Sequence, residues 1–192
     1  MTNEHEIFYP QSAQEWRTWL EAHHASKTAV WVVYYKKKTG IPSLSWSEAV
    51  DEALCFGWID SVIKTLDEQR SKQYFSKRKP NSTWSKINKD KVEVLIATGK
   101  MMPAGLACIE IAKQNGTWTI LDEVEALIIP ADLQEALSAV PGTADFFAAQ
   151  SRTRRKTMLQ WLVMAKTSAT RNRRIQEIVL LASQQRTPPQ FG

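Results

Sequence analysis

Apolar residues recur along the chain in changing periods, and each change of period marks a change of element. Trp16, Trp19 and Leu20 stand at packing spacings behind Ser12-Ala13-Gln14-Glu15. That opening is a capping box, in which the Ser hydroxyl and the Glu carboxylate satisfy free N–H groups of a first turn, so a helix is predicted from about Ala13 to His23. Residues 29–35, Ala-Val-Trp-Val-Val-Tyr-Tyr, form an unbroken β-branched and aromatic run. This is the pattern of a strand covered on both faces and predicts the central strand. Lys36-Lys37-Lys38-Thr39-Gly40-Ile41-Pro42 ends it in a loop. Ser45-Trp46-Ser47-Glu48 is a second capping box, and Gly57 is placed to stop the helix it opens, Trp46 to Phe56. At about 100° per residue, Ala49, Val50, Ala53, Leu54 and Phe56 fall on one side of that helix. Glu48, Asp51, Glu52 and Cys55 fall on the other.

Beyond Gly57, Trp58 to Lys64 and Lys72 to Lys77 read as strands of a hairpin turning near Asp67-Glu68. Ser82 or Ser85 can cap a helix that runs to about Thr98 and stops at Gly99. Pro103 suits the first turn of the next, which Gly116 closes. Trp118 to Leu121 is predicted as a short extended piece, and Pro130 and Pro141-Gly142 divide the remaining chain into short helices. Met158, Trp161, Leu162 and Ala165 share one stripe, and Ile175, Ile178, Val179 and Ala182 another. The expectation is an α+β fold, a small, mostly antiparallel sheet covered by helices, with a helical C-terminal part. It would comprise an α+β domain over residues 1–125, a helical region packed on it over 126–186, and a loose tail over 187–192 that contains Pro188-Pro189.

The chain has 192 residues, 43% of them apolar, enough for one good core or two small ones. Eight Trp, six Phe and four Tyr against seven Gly argue against a disordered or low-complexity chain. No apolar run approaches the roughly 20 residues of a membrane span, and the first thirty residues lack the pattern of a secretory signal. A cytoplasmic protein without membrane insertion is therefore expected. Cys55 and Cys108 stand apart from each other and from any Cys or His cluster, which predicts no disulfide framework, no metal site and no cofactor. Nucleotide-binding, hydrolase, zincin and kinase signatures are absent, so a conventional enzyme is disfavoured.

The net charge of +5 alternates in blocks: acidic over 1–70, basic over 71–116, acidic over 117–150, basic over 151–192. The last block carries Arg152, Arg154, Arg155, Lys156, Lys166, Arg171, Arg173 and Arg174, a density suited to phosphate contacts. The acidic block before it offers internal partners for the same charges. A small-anion site is readable where Trp58, Asp60 and Ser61 follow Gly57 along one strand. There Arg78, Lys79, Ser82, Trp84, Ser85 and Asn88 lead from the neighbouring strand into a helix N-terminus. The competing reading pairs Asp60 with Arg78, places the Trp rings in the core and leaves the serines as caps. The face of Glu48, Asp51, Glu52 and Cys55 is either a carboxylate site beside a thiol or a salt-bridged surface. His23 and His24 suit the C-terminal dipole of the first helix.

Three segments in order, Glu48-Ala-Val-Asp-Glu-Ala-Leu-Cys-Phe-Gly-Trp-Ile-Asp-Ser61, Arg78-Lys-Pro-Asn-Ser-Thr-Trp-Ser-Lys-Ile-Asn88 and Gly99-Lys-Met-Met-Pro-Ala-Gly105, carry a resemblance. Pro130-Ala-Asp-Leu133, Ser151-Arg152, Trp161, Ala165-Lys166, Thr170-Arg171 and Arg174-Ile175 extend it. The chain resembles the YdeI/OmpD-associated, or OmdA-type bacteriocin-protection, family, departing from its pattern at Lys77, where a Pro usually precedes the Arg. The resemblance implies links to envelope stress, antimicrobial resistance and a porin, and carries over no catalytic residue. The expected function is a non-catalytic stress- or bacteriocin-resistance-associated module that binds a small anionic ligand or a protein partner. Two alternatives stay open: nucleic-acid binding by the basic C-terminal helices, and an enzyme with an unconventional site around Asp60, Glu52 and Arg78.

Overall fold

Serine side chains fix where the first helices begin. Ser12 accepts from the Glu15 N–H at 3.3 Å to open α1 (Ala13–His23), and Ser45 and Glu48 complete the expected capping box at the head of α2 (Trp46–Cys55). Of the two serines that can cap the third helix, Ser85 does so, and α3 covers Lys86–Ala97. Pro103 sits in the first turn of α4 (Pro103–Gln114), where its missing N–H leaves no bond unmade. A computed structural model describes residues 6–187. The chain divides into two compact units, Met1–Trp118 and Thr119–Gly192. The tail expected around Pro188-Pro189 lies outside the described residues.

The first unit holds a four-stranded sheet among the described residues, β1 (Ile7–Phe8), β2 (Ala29–Tyr35), β3 (Trp58–Thr65) and β4 (Arg70–Lys77), in the order β1-β2-β4-β3. The fold is α+β, but the sheet is mixed rather than mostly antiparallel. β1 runs parallel to β2, with Ile7 opposite Trp31, while β4 is antiparallel to both its neighbours. Two residues are too few to establish a period of two, and their pairing partner lies far along the chain, so β1 leaves no local signal. The hairpin forms as expected, with its register broken between Asp60 and Ile63.

Val30, Val32 and Phe75 face the helices, where they meet Trp16 and Leu20 of α1 and Val50, Ala53 and Leu54 of α2. Trp16 meets Phe75 edge-on at 5.5 Å. Burying each such side chain contributes roughly 1.5–3 kcal/mol. The extended piece expected from Trp118 forms turns instead. Gly116 is left-handed, the Trp118 N–H donates to Ala112 O at 3.0 Å, and the Trp118 ring packs on Trp84, so no strand partner is met.

The second unit is helical: α5 (Asp122–Glu125), α6 (Ala131–Ser138), α7 (Thr143–Ala149), α8 (Arg152–Val163) and α9 (Ser168–Ser183). Leu133, Leu137, Phe147, Met158, Leu162, Ile175 and Ile178 make its own core. Trp161, expected on the apolar stripe of α8, is half-buried at the margin of that core.

In the first unit, α4 approaches the end of α2 without room for a side chain. A Cβ on Gly105 would lie 2.4 Å from Cys55 O and 2.7 Å from Leu54 O. Gly57 adopts φ 72°, and a Cβ there would lie 2.6 Å from Cys108 Sγ. In an ordinary helix interior Gly→Ala gains up to about 1 kcal/mol. Gly105→Ala should instead lose about 1–3 kcal/mol, the usual cost of overpacking, read as a lower urea midpoint at unchanged slope.

Candidate functional site

Arg78 follows the last residue of β4, and its N–H donates to Gly57 O at 2.9 Å, so the hairpin delivers it beside the end of α2. Its side chain turns inward and is 9% exposed. The guanidinium lies 3.6 Å from the centroid of Trp84, close enough for a desolvated cation–π contact. Nη1 donates to Thr83 O at 2.8 Å, while Nε has no partner. Among the described residues no carboxylate pairs with Arg78. A cavity of about 30 Å³ opens here, lined by Arg78, Lys79, Pro80, Trp84, Cys108 and Ile111. Burial pushes the guanidinium down to about 10, against the opposing influence of Cys108 and Asp60. It is still a full cation at neutral pH. Burial also pushes the Cys108 thiol up, with Arg78 opposing.

The residues expected to share this site divide. Arg78, Lys79 and Trp84 line the cavity. Ser82 makes the turn through its N–H to Lys79 O, Ser85 caps α3, and Asn88 gives its backbone N–H to Ser85 Oγ, as the structural reading of those residues has it. Trp58 is fully buried in the core, its Nε1 donating to His24 O at 3.4 Å. Asp60 accepts from Trp46 Nε1 at 2.9 Å and from Gln73 Nε2 rather than from Arg78. Ser61 is exposed, its hydroxyl 3.5 Å from Tyr74 O.

Cys108 and Ile111 of α4 complete the cavity and were not among the expected residues. The signal for Cys108 is the stripe Gly105, Cys108, Ile109 and Ala112, the i, i+3, i+4, i+7 face of one helix; Ile111 lies off that stripe, one turn beyond Cys108, and is 42% exposed. Asn115 at the end of α4 donates to Pro80 O at 2.8 Å and holds the loop that closes over it.

The acidic side of α2 is bonded inward. Asp51 receives Lys91 Nζ at 2.6 Å, and Glu52, only 8% exposed, receives Arg17 Nη1 at 2.8 Å. Glu48 is held below the usual carboxylate range by its bonds to the Ser45 backbone and hydroxyl. Cys55 is fully buried, which pushes its thiol up. The helix therefore buries residues on both sides. A groove of about 530 Å³ runs past these carboxylates over Val94 and Leu95, while Asp60 lines neither this groove nor the Arg78 cavity. His23 packs on Trp19, and His24 Nδ1 lies 2.9 Å from Leu20 O.

In the second unit the basic and acidic blocks meet. Lys156 pairs with Glu125 at 2.7 Å, Arg152 donates to Glu125 O, and Arg171 grips Asp132 with two nitrogens. Arg174 lies over Trp161 at 4.9 Å. Arg155 is half-buried, whereas Arg154, Lys166 and Arg173 are exposed.

These features define an α+β protein whose first unit encloses an unneutralised guanidinium and whose second unit is a charge-paired helical bundle. Residues 8–108, more than half the chain, match the model of a domain of unknown function, DUF8412, and the chain belongs to that family. Residues 126–185 match the family described as Bacteriocin-protection, YdeI or OmpD-Associated. That match bears out the resemblance. The motifs Glu48–Ser61, Arg78–Asn88 and Gly99–Gly105 fall within the first match, and those from Pro130 to Ile175 within the second. No curated protein and no solved structure matches the chain.

Two predictions concern the ion pairs. Arg17→Met leaves Glu52 buried and unpaired and should cost about 2–3 kcal/mol, toward the low end for a broken buried pair because Arg17 keeps some solvent contact; chemical denaturation measures it. Arg171 holds the Asp132 carboxyl below its usual value, chiefly through their hydrogen bonds. A depressed folded-state pKa gives stability that is present above the unfolded value, near pH 4, and is lost as pH falls through the folded value. Asp132→Asn should thus be less stable than the parent at pH 7, the gap narrowing as pH falls below the unfolded carboxyl value in paired urea titrations.

Proposed function

We propose that the chain is a non-catalytic module that binds a small anionic ligand at Arg78, within a bacteriocin-protection or stress response. The family description of residues 126–185 supports the second half of this reading. One observation carries the first half: a guanidinium nine-tenths buried, without a carboxylate partner and with Nε unbonded. Taking a charge out of water without pairing it costs several kcal/mol. An anion placed against Nε recovers part of that cost, and Trp84 holds the guanidinium plane ready for it. The cavity admits one water-sized group. The ligand therefore presents a single carboxylate or phosphoryl oxygen to Nε, with the rest of it outside, near the exposed ammonium of Lys79. Cytoplasmic residence belongs to the same proposal and agrees with two unbridged cysteines.

Thermal unfolding in graded phosphate, sulfate and acetate tests the reading. Ligand at about 100 times its dissociation constant adds roughly 2.7 kcal/mol of stability. The parent should gain several degrees with at least one of these anions, and Arg78→Met should lose that gain while remaining folded. Equal shifts in parent and variant would assign the effect to general salt stabilisation and end the proposal.

A further inference from the structure

The sheet of the first unit has two unlike faces. Val30, Val32 and Phe75 point to the helices, and Phe8 packs on Trp16 and Trp19. Their neighbours Ile7, Trp31 and Tyr74 therefore point the other way, and the strand register sets them side by side in one row, Ile7 opposite Trp31 and Trp31 opposite Tyr74. Ile7 is 57% exposed and Trp31 half-buried. Tyr74 meets Trp31 edge-on at 5.1 Å and holds its plane.

The next row is cationic. Val33 pairs with Lys72, and Lys72 with Lys64, so two lysines stand directly opposite on neighbouring strands. Like charges in that position are destabilising, and no acidic residue shares this face of the paired strands. Asp60, the acidic residue within β3, points to the other face with Gln73. Both ammonium groups rest against Trp31 instead, at 5.4 and 4.7 Å from its centroid. Exposed Lys36, Lys37 and Lys38 leave β2 at the same end of the sheet. Across that end Arg70, at the start of β4, pairs with Asp67 of the β3–β4 turn, so the pair adds no net charge there, and exposed Glu68 of the same turn adds one negative charge beside the lysines.

We propose that this outer face binds single-stranded nucleic acid, a reading independent of the Arg78 site. A base stacks on Trp31 beside Ile7 and Tyr74. Lys64 and Lys72 swing from the ring to flanking phosphates, which relieves their mutual repulsion, and Lys36 to Lys38 extend the track. Aromatic platforms within basic surfaces take unstacked bases of any sequence, whereas a duplex offers no free base face.

Anisotropy titrations of the full chain with a labelled oligothymidylate and a duplex of equal length, from about 50 to 200 mM salt, test this. The single strand should bind with a dissociation constant of about 10⁻⁴ to 10⁻⁶ M, tighter than the duplex. Trp31→Ala should weaken it roughly tenfold with the salt slope unchanged. Lys64→Gln with Lys72→Gln, both on the surface, should weaken it and reduce the slope by about 1.4, two contacts at about 0.7 each. Circular dichroism confirms that each variant is folded, and Trp31→Phe should restore part of the loss as a smaller stacking ring. Absence of binding overturns the proposal, as does equal affinity for the duplex. Loss with Arg154→Gln and Arg173→Gln but not with the sheet variants would move binding to the second unit and overturn it equally.

Discussion

The contact between the end of α2 and the first turns of α4 organises the first unit. Gly105 lets α4 lie against the carbonyls of Leu54 and Cys55, the Met102 N–H donates to Cys55 O at 3.1 Å, and Gly57 leaves space for Cys108. A side chain at either glycine would push the helices apart, because the blocking atoms include backbone that cannot swing aside. The same residues turn the chain from α2 into β3, and Gly57 O then accepts the Arg78 N–H. One close approach thus fixes helix, hairpin and cavity together. It brings Cys108 of α4 and Arg78 of the hairpin to one small space although they lie far apart along the chain.

Within that frame Arg78 is the costly residue. Stacking on Trp84 and the bond to Thr83 O compensate part of its desolvation, and backbone carbonyls suit a cation, but neither removes the charge. Arg17 shows the contrasting solution in the same unit. It is also largely buried, yet it reaches Glu52 and so carries its own counter-charge. The two arginines contrast a cation that meets a carboxylate with one held only by an aromatic ring and a backbone carbonyl. Cys108 provides no counter-charge, since burial keeps its thiol protonated at neutral pH.

Much of this was legible in the sequence because local rules wrote it. The serine cap at Ser12, where the Glu15 carboxylate takes the Gln11 N–H rather than closing a box, the box at Ser45, the stops at Gly57 and Gly99, and the apolar run from Ala29 to Tyr35 each follow from a few adjacent residues, and helix, strand and hairpin stand where those rules place them. What escaped depends on distant partners. Ile7 and Phe8 become a strand through pairing with Trp31 and Val32. Glu52 is buried because Arg17 arrives from another helix, so an acidic face read from spacing alone looked more solvated than it is. Asp60 finds Trp46 and Gln73, both polar donors that helix and strand patterns do not flag. The Arg78 side of the site was visible in the segment from Arg78 to Trp84, but its far wall lies on α4, where Cys108 reads as an ordinary core position.

The two faces of the sheet follow from the same alternation and meet opposite demands. Toward the helices Val30, Val32 and Phe75 are apolar, and Gln73 Nε2 donates to Asp60 among them, while Gln73 Oε1 is left buried without a partner. Away from the helices the alternation sets Lys64 against Lys72, an arrangement that core packing does not require and cross-strand electrostatics opposes. Resting both ammonium groups on the Trp31 ring spreads their charge over its π face without cancelling it. A face that only needed to be soluble would be more stable with one acidic residue among its cations, as the Arg70–Asp67 pair in the adjacent turn has. Leaving this face of β4 and β3 without that carboxylate keeps it cationic, and the cost falls on exposed Lys64 and half-buried Lys72, where water keeps it small.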